Sequence, residues 1–250
     1  MKRQENIPVM ILAGGMGTRL GSSHGNVPKP MLLVGGKPIL WHIMKYYSHF
    51  GFNKFILCLG HQGDVIKDYF INLRSKSSDC TVNTSTGQIK FHSDSSEDWQ
   101  ITFADTGQDC MTGGRVARAA KYVDADTFML TYGDGLCDVN LDELLKFHMN
   151  GNRIATVTAV QPNSQFGVME INGDKVVEFK EKVPSKNSWI NGGFFVLNKK
   201  ILSFLSEDSE SVFEEKPLNN LANNNELSCF KHQGFWQCVD TLKDLKNLQN

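Results

Sequence analysis

The chain has 250 residues, of which 40% are hydrophobic and 21% charged, and its formal net charge is −1 at pH 7. This is the balance of an ordinary globular protein, and so small a net charge excludes a bulk electrostatic attraction to nucleic acid or to an anionic membrane. No apolar run approaches the roughly 20 residues of a membrane span, and the run at 9–13 is too short for a signal peptide. The six cysteines are scattered without a C-x-x-C pair, which is typical of reduced thiols. We therefore expect a cytoplasmic protein without nucleic-acid or membrane partners.

The first part of the chain alternates apolar runs with amphipathic segments. Ile39, Ile43 and Tyr47 follow helical spacing, and Gly51 ends that pattern as a C-cap would. Apolar runs that end in glycine or polar turns predict strands buried on both faces. We predict strands at 7–13, 54–60, 79–93, 100–105, 127–132 and 154–160, and helices at 37–50, 64–73, 113–122 and 141–149. Strands that alternate with helices indicate a parallel sheet with crossover helices, an α/β fold.

From Phe166 onward the apolar segments become shorter and alternate with polar residues. The Asn172-Gly-Asp174 turn predicts a hairpin between two of these segments. We predict strands at 167–171, 175–180 and 192–197, and helices at 198–205, 212–223 and 241–248. Because no repeat or linker interrupts the chain, we predict a single domain over 1–250, with a main part at about 7–160 and a smaller, β-rich part within about 161–250.

The first predicted strand ends in a glycine turn, Gly14-Gly-Met-Gly17. Glycines let the backbone approach a ligand closely, and successive N–H groups in such a turn can cradle phosphates. The spacing excludes a P-loop, because Gly-x-x-x-x-Gly-Lys-Ser/Thr is absent, and it lacks the third glycine of a dinucleotide site. Thr18, Arg19 and the proline-flanked Lys29 add a hydroxyl and two cations that suit phosphate. Although the glycines alone also fit a plain strand-to-helix turn, the complete set predicts phosphate binding.

Motifs over most of the chain carry a family resemblance. Leu12-Ala-Gly-Gly-Met-Gly-Thr-Arg-Leu20 and Pro28-Lys-Pro-Met31 resemble the signature of the sugar nucleotidyltransferases. More specific segments resemble the glucose-1-phosphate cytidylyltransferase branch, and they lie at 36–45, 105–107, 111–115, 132–135, 190–197 and 234–237. The resemblance implies a Rossmann-like, mostly parallel mixed sheet flanked by helices. It also implies nucleotide binding in the part at 7–160, a small β-rich sugar-binding portion after it, and a homo-oligomer.

This resemblance implies transfer of a cytidylyl group from CTP to α-D-glucose 1-phosphate, giving CDP-glucose and pyrophosphate, with Arg19 and Lys29 as catalytic residues. The nucleotide would contact Leu12, Ala13, Gly14, Gly15, Gly17, Thr18, Arg19, Lys29, Thr112, Gly113, Arg115 and Asp134. Three alternatives stay open: the same chemistry with another NTP or acceptor, a non-catalytic regulatory subunit, and an NAD-dependent oxidoreductase. The subunit is disfavoured because the charged residues that the chemistry needs are all present.

Two aspartates are the candidate metal ligands. Asp134 follows a predicted buried strand between two glycines, and Asp240 precedes the last predicted helix. The residues alone also fit a turn-forming Asp134 and an N-cap at Asp240. The resemblance implies that both hold Mg²⁺, an ion that prefers one or two carboxylates together with phosphate oxygens. The sequence lacks the histidine–cysteine clusters that would indicate zinc.

The acceptor side is expected in several separate segments. By resemblance, the sugar phosphate would contact Tyr132, Gly133, Glu181, Lys182, Asn191, Gly192 and Trp236. On spacing alone, Glu181 and Lys182 also fit a solvated hairpin edge. The chain departs from the family twice: Pro184 stands one place later than the usual Glu-Lys-Pro motif, and His61 stands where the family often has tyrosine.

Overall fold

The computed structural model describes residues 6–17, 27–93, 97–162, 168–172, 175–180 and 188–249. Within these residues, one sheet holds β1 (Val9–Leu12), β4 (Lys54–Leu59), β7 (Gln100–Asp105), β8 (Thr127–Tyr132), β10 (Ala155–Val160), β13 (Ile190–Asn198) and β14 (Leu227–His232). Short antiparallel pairs join β2 (Leu33–Val34) to β3 (Lys37–Pro38), β5 (Cys80–Val82) to β6 (Ile89–Phe91), β9 (Gly135–Cys137) to β15 (Trp236–Cys238), and β11 (Val168–Asn172) to β12 (Lys175–Lys180). The α-helices are α1 (Ile39–His49), α2 (Gly63–Ile71), α3 (Leu73–Ser77), α4 (Thr112–Ala119), α5 (Leu141–Gly151), α6 (Lys216–Asn223) and α7 (Leu242–Gln249).

The central sheet has the strand order β14–β10–β13–β8–β1–β4–β7. β1 is parallel to β4 and β8, β4 is parallel to β7, and β10 is parallel to β14. β13 is antiparallel to both of its neighbours, so it alone among these strands runs the other way. The predicted α/β fold with a mostly parallel mixed sheet is confirmed. The parallel strands end at one edge, which is where open α/β sheets bind ligands.

The buried strands explain why this fold forms. In β1, Val9 and Ile11 belong to one hydrophobic cluster, whereas Met10 and Leu12 belong to another. Since successive side chains point to opposite faces, both faces of β1 are covered, as the continuous apolar run predicts. The predicted helix at 37–50 is confirmed as α1, and Gly51 follows it with a φ of 84°. No helix among the described residues is long and apolar enough to cross a bilayer.

The structure differs from the predicted elements at 79–93, where the short antiparallel strands β5 and β6 take the place of one strand, and after residue 198. The segment predicted as a helix at 198–205 is a 3₁₀ helix over Lys199–Phe204. The helix predicted at 212–223 begins only at Lys216, with Pro217 in its first turn, where a missing N–H costs little. β14 and β15 were not predicted at all. Their residues are half-buried or exposed rather than apolar runs, and they pair with strands distant in sequence.

Candidate active site

A cavity of about 350 Å³ opens at the carboxyl ends of β1 and β8. Its described lining comprises Leu12, Ala13, Gly14, Gly15, Gly17, Lys29, Pro30, Cys110, Met111, Thr112, Arg115, Tyr132, Asp134 and Asp240. The fold therefore gathers, from positions 12 to 240, most of the described residues that the sequence assigns to nucleotide and metal. Of the described acceptor-side residues, Tyr132 belongs to this lining, whereas Gly133, Asn191, Gly192 and Trp236 do not.

Lys29 forms the centre of charge in the cavity. Its Nζ donates to Asp134 Oδ2 at 2.6 Å and to Asp240 Oδ1 at 2.8 Å. The Lys29 side chain is only 12% exposed, against 27% for Asp134 and 42% for Asp240. Burial alone would lower the pKa of Lys29, but the Asp134 charge and hydrogen bonds to both carboxylates raise it above its ordinary value. Lys29 therefore stays protonated at neutral pH.

Backbone contacts place these three side chains side by side. Lys29 begins a 3₁₀ turn between prolines, and a Cβ at Gly133 would lie 3.1 Å from Pro30 Cγ, so the turn packs directly against Gly133. The Val239 N–H donates to the Asp134 carbonyl at 2.9 Å. Because β9 and β15 pair beside that bond, Asp134 and Asp240 are held at one point although 106 positions separate them.

The N-terminus of α7 is capped by Thr241 rather than by Asp240. The Asp244 N–H donates to Thr241 Oγ1 at 3.2 Å, and the Thr241 N–H donates to Asp244 Oδ2 at 2.8 Å. This reciprocal pair is a capping box with aspartate in the usual glutamate position. The Asp240 carboxylate is consequently directed to Lys29 instead of the helix.

The donor atoms at this point suit a hard divalent cation. Ligand atoms of Asp134, Cys238 and Asp240 lie within 4.8 Å of one another. Both carboxylates already converge on a single cationic group, the Lys29 ammonium, and carboxylate oxygens are the ligands that Mg²⁺ prefers. Burial first, and then the Asp134 charge, raises the pKa of Cys238 to about 12, so its thiol is neutral at pH 7. The two aspartates therefore fit the metal that the sequence predicts.

The glycine turn after β1 is held by close backbone packing. A Cβ at Gly14 would overlap the Arg115 guanidinium and lie 2.7 Å from Gly60 N. The Gly14 carbonyl accepts from the His61 N–H at 3.1 Å and from Arg115 Nη2 at 2.9 Å. Gly17 has a φ of 62°, which favours glycine. Gly14 and Gly17 are therefore needed for the shape of this turn, whatever it binds.

Arg115 fixes the loops around the cavity. It is 4% exposed, and its guanidinium donates to the carbonyls of Leu59, Gly107, Gln108 and Gly14 and to Thr106 Oγ1, at distances from 2.7 to 3.1 Å. Burial lowers its pKa. The predicted contact with nucleotide remains a prediction, because these bonds go to the protein's own loops.

The start of α4 is covered by a later segment of the chain. The N–H groups of Gly113 and Gly114 donate to the Ser211 carbonyl at 2.8 and 3.1 Å. A Cβ at Gly113 would lie 2.6 Å from Ser211 Oγ. This packing therefore requires glycine at position 113. The predicted contact of Gly113 with the nucleotide stays a prediction. Thr112 lines the cavity and donates through Oγ1 to Glu214.

The acceptor-side residues meet at Tyr132. Asn191 Nδ2 donates to the Tyr132 hydroxyl at 3.0 Å, and Trp236 Nε1 donates to the Gly192 carbonyl at 2.8 Å. Gly193 has a φ of 81°, and a Cβ there would overlap the Tyr132 ring. β13 and β15 therefore bring Asn191, Gly192 and Trp236, the acceptor-side residues that the structure describes on them, to the end of β8.

Four predicted site residues lie outside the described residues: Thr18, Arg19, Glu181 and Lys182. The shifted Pro184 lies outside them as well. Conversely, no sequence pattern indicates Glu214, whose carboxylate contacts two cavity residues. It lies in a segment predicted only as helix, and no local spacing connects it to residues 82 and 102 positions away.

Known proteins of one family are similar to this chain in sequence and in fold. A family model described as nucleotidyl transferase matches residues 8–250. The crystal structure of HddC from Yersinia pseudotuberculosis complexed with GMP-PN is similar over 97% of this chain and 98% of that chain, with a TM-score of 0.70 and 25% identity.

Two similar relatives carry more specific names. The glucose-1-phosphate cytidylyltransferase of Salmonella typhimurium is 45% identical over 236 residues, which cover 94% of this chain and 91% of the relative. The probable glucose-1-phosphate cytidylyltransferase of Bacillus subtilis is 44% identical over 236 residues, covering 94% of this chain and 92% of the relative.

Proposed function

Because the chain belongs to the nucleotidyl transferase family, we propose that it transfers a cytidylyl group from CTP to α-D-glucose 1-phosphate, giving CDP-glucose and pyrophosphate. The observation that carries this proposal is the convergence of Lys29, Asp134 and Asp240 beside the glycine turn. The choice of CTP and glucose 1-phosphate rests on the two relatives that are 44–45% identical to this chain over 236 residues.

The reaction needs positioned charge more than it needs a base. A phosphate oxygen of the sugar phosphate attacks the α-phosphorus of CTP in line with the bond to the β-phosphate. The new P–O bond forms as that bond breaks, and pyrophosphate leaves with the bonding electron pair. Because the attacking oxygen is already anionic, no proton has to be removed, and catalysis consists of alignment and charge neutralisation.

Lys29 and the glycine turn supply the described part of this alignment. The turn lets the backbone approach the phosphates closely, and the Lys29 ammonium is held by two carboxylates and two prolines. A charge held in place before the reaction costs no reorganisation as negative charge builds up on the α-phosphate. By the same proposal, Arg19 neutralises the leaving pyrophosphate and Lys182 holds the acceptor phosphate.

Asp134 and Asp240 would hold a divalent cation, which we propose to be Mg²⁺. When bound, Mg²⁺ supplies positive charge that neutralises the reacting phosphates. The two aspartates would then share their negative charge between Lys29 and the metal, so that all three side chains keep one arrangement.

The remaining expectations stay predictions. We propose that the chain works as a single nucleotidyltransferase domain, which is supported by the participation of β13 and β14 in the same sheet as β1. The homo-oligomer and the cytoplasmic location rest on the sequence alone.

A substrate matrix tests the proposal. Pyrophosphate release is measured with CTP, UTP, dTTP, GTP and ATP, each against glucose 1-phosphate and other sugar 1-phosphates, with Mg²⁺ and with EDTA. We expect the highest kcat/KM for CTP with glucose 1-phosphate and no release in EDTA. A higher kcat/KM for another pair would replace the substrates, and no release with any pair would overturn the proposed reaction.

A further inference from the structure

Glu214 lies behind the cavity wall and contacts two of the residues that form it. Its Oε2 accepts from Thr112 Oγ1 at 2.6 Å, and its Oε1 accepts from the Tyr132 hydroxyl at 2.5 Å. Thr112 begins α4 on the nucleotide side, whereas Tyr132 ends β8 two residues before Asp134. One carboxylate thus bridges the two sides of the cavity without lining it.

The hydrogen bonds around Glu214 have a fixed direction. The Phe213 N–H donates to Thr112 Oγ1 at 2.9 Å, and Asn191 Nδ2 donates to the Tyr132 hydroxyl at 3.0 Å. Each hydroxyl has one O–H donor. Because each hydroxyl oxygen already accepts from one of these groups, its O–H donates a hydrogen bond to Glu214. The amide of Asn191 is itself oriented, because its Oδ1 accepts from the Gly193 N–H at 2.8 Å.

This pattern requires a group that only accepts. An ionised carboxylate offers an oxygen to each hydroxyl, whereas the glutamine amide offers one oxygen and one NH₂ donor. With glutamine, one of the two hydroxyls would face a donor and would lose the acceptor for its own O–H.

The backbone at Glu214 is itself anchored. Phe213 is fully buried, and its ring packs edge-on against Phe195 at a centroid distance of 5.4 Å. Phe195 packs in turn against the Tyr132 ring at 6.2 Å. The backbone that carries the Glu214 carboxylate is therefore anchored in the hydrophobic core. Such an anchor lets the carboxylate hold two elements of the site in a fixed relation.

We propose that Glu214 is a positioning residue that fixes the start of α4 relative to the end of β8 through Thr112 and Tyr132. This rests on the proposed function, since it concerns the alignment of nucleotide and acceptor in that reaction. Loss of the second acceptor lets one hydroxyl turn away and shifts one wall of the cavity. Misalignment by a fraction of an ångström lowers turnover more than substrate binding, so the effect should fall on kcat.

The test compares Glu214→Gln with Glu215→Gln, which makes the same charge change at the exposed neighbouring position. With CTP, glucose 1-phosphate and Mg²⁺, we expect Glu214→Gln to lower kcat about tenfold or more, with both KM values changed less than about threefold. Glu215→Gln should stay within about twofold. The double variant with Tyr132→Phe should be no slower than the slower single variant, because both changes disturb the same hydrogen bond between the Tyr132 hydroxyl and the side chain at 214. A kcat for Glu214→Gln within twofold of wild type, or a double loss equal to the product of the single losses, overturns the proposal.

A second measurement separates this proposal from the proposed function. Hydrogen exchange of the Phe213 and Gly193 amides, the two backbone donors of the network, needs no substrate. We expect faster exchange at both in Glu214→Gln than in Glu215→Gln. If wild type releases no pyrophosphate with any substrate pair, the proposed function fails, and the exchange rates still decide on Glu214: equal rates in the two variants would overturn its positioning role.

Discussion

The cavity has two walls of different construction. The first wall is formed by β1, β8, the start of α4 and the turns at 13–17 and 133–134, and its strands lie side by side in the parallel sheet. The second wall consists of Asp240, which lines the cavity, and of β15 and the 208–214 segment, whose residues do not line it. It is placed by single contacts, such as those of Trp236 with Gly192 and of Glu214 with Tyr132. The first wall supplies Lys29 and Asp134, whereas the second supplies the opposing carboxylate and the braces.

The two walls are held in place by different interactions. A parallel sheet with both faces buried holds its strand ends rigidly, so the first wall can carry a turn that approaches a ligand closely. The second wall has less sheet behind it, and long-range hydrogen bonds fix it instead. Variants in the two walls should therefore fail in different ways, and the expected effects below run from the largest to the smallest.

Removal of a single charged side chain from either wall should lower the turnover. We expect Lys29→Ala, Asp134→Asn and Asp240→Asn each to lower kcat by about 10²-fold or more, the scale of losing one preorganised charge partner. Asp124→Asn, an exposed aspartate away from the cavity, is the matched control. Steady-state kinetics on variants with an unchanged circular dichroism spectrum provides the measurement. Near-normal turnover in Asp240→Asn would mean that the second wall contributes no charge to the reaction.

Two neighbouring glycines of the first wall should differ in stability. A Cβ at Gly14 would overlap Arg115 and crowd Gly60, whereas a Cβ at Gly15 meets nothing within 4 Å. We expect Gly14→Ala to lower the free energy of unfolding by about 1–3 kcal/mol, the usual effect of overpacking. Gly15→Ala should change it by less than about 0.5 kcal/mol. Urea denaturation followed by fluorescence measures both, and equal losses would show that the turn is not tightly packed.

His148, a buried histidine in α5, should make the protein sensitive to acid. Burial lowers the pKa of His148 to about 4, below the ordinary 6.5, and its Nδ1 lies 2.9 Å from Thr156 Oγ1. The unfolded chain therefore binds the extra proton first, and stability is lost as the pH falls from about 6.5 towards 4. Between about pH 7 and 5.5 this loss amounts to about 1 kcal/mol.

His148→Gln should lack this part of the pH dependence, while the exposed His49→Gln should retain it. Urea unfolding at the two pH values gives the slope for each protein. Equal slopes in wild type and His148→Gln would show that His148 has the same pKa in the folded and the unfolded chain.

The sequence predicts the first wall far better than the second. β1, β4 and β8 are apolar runs long enough to indicate buried strands, and the glycine turn follows directly from its residues. β14 and β15 escape prediction because their residues are half-buried or exposed and their partners lie far away in the chain. For the same reason Glu214 has no sequence signal. Its meaning depends on two residues that only the fold brings near.

The charged residues of the site were predicted in part from the sequence. Asp134 and Asp240 are each ordinary turn or cap residues by spacing, and the family resemblance was needed to pair them. The structure adds what no pattern contains, namely that both carboxylates meet on Lys29 and that Thr241 takes over the capping of α7. The roles of Thr18, Arg19, Glu181 and Lys182 remain predictions.

Identification of the product tests the central claim most directly. The protein is incubated with CTP, glucose 1-phosphate and Mg²⁺, and the products are resolved by anion-exchange chromatography and mass spectrometry. The two-walled site predicts CDP-glucose and pyrophosphate in a 1:1 ratio, with loss of both in Asp134→Asn. Cleavage of CTP to CMP and pyrophosphate without a sugar conjugate, or no reaction at all, would contradict it.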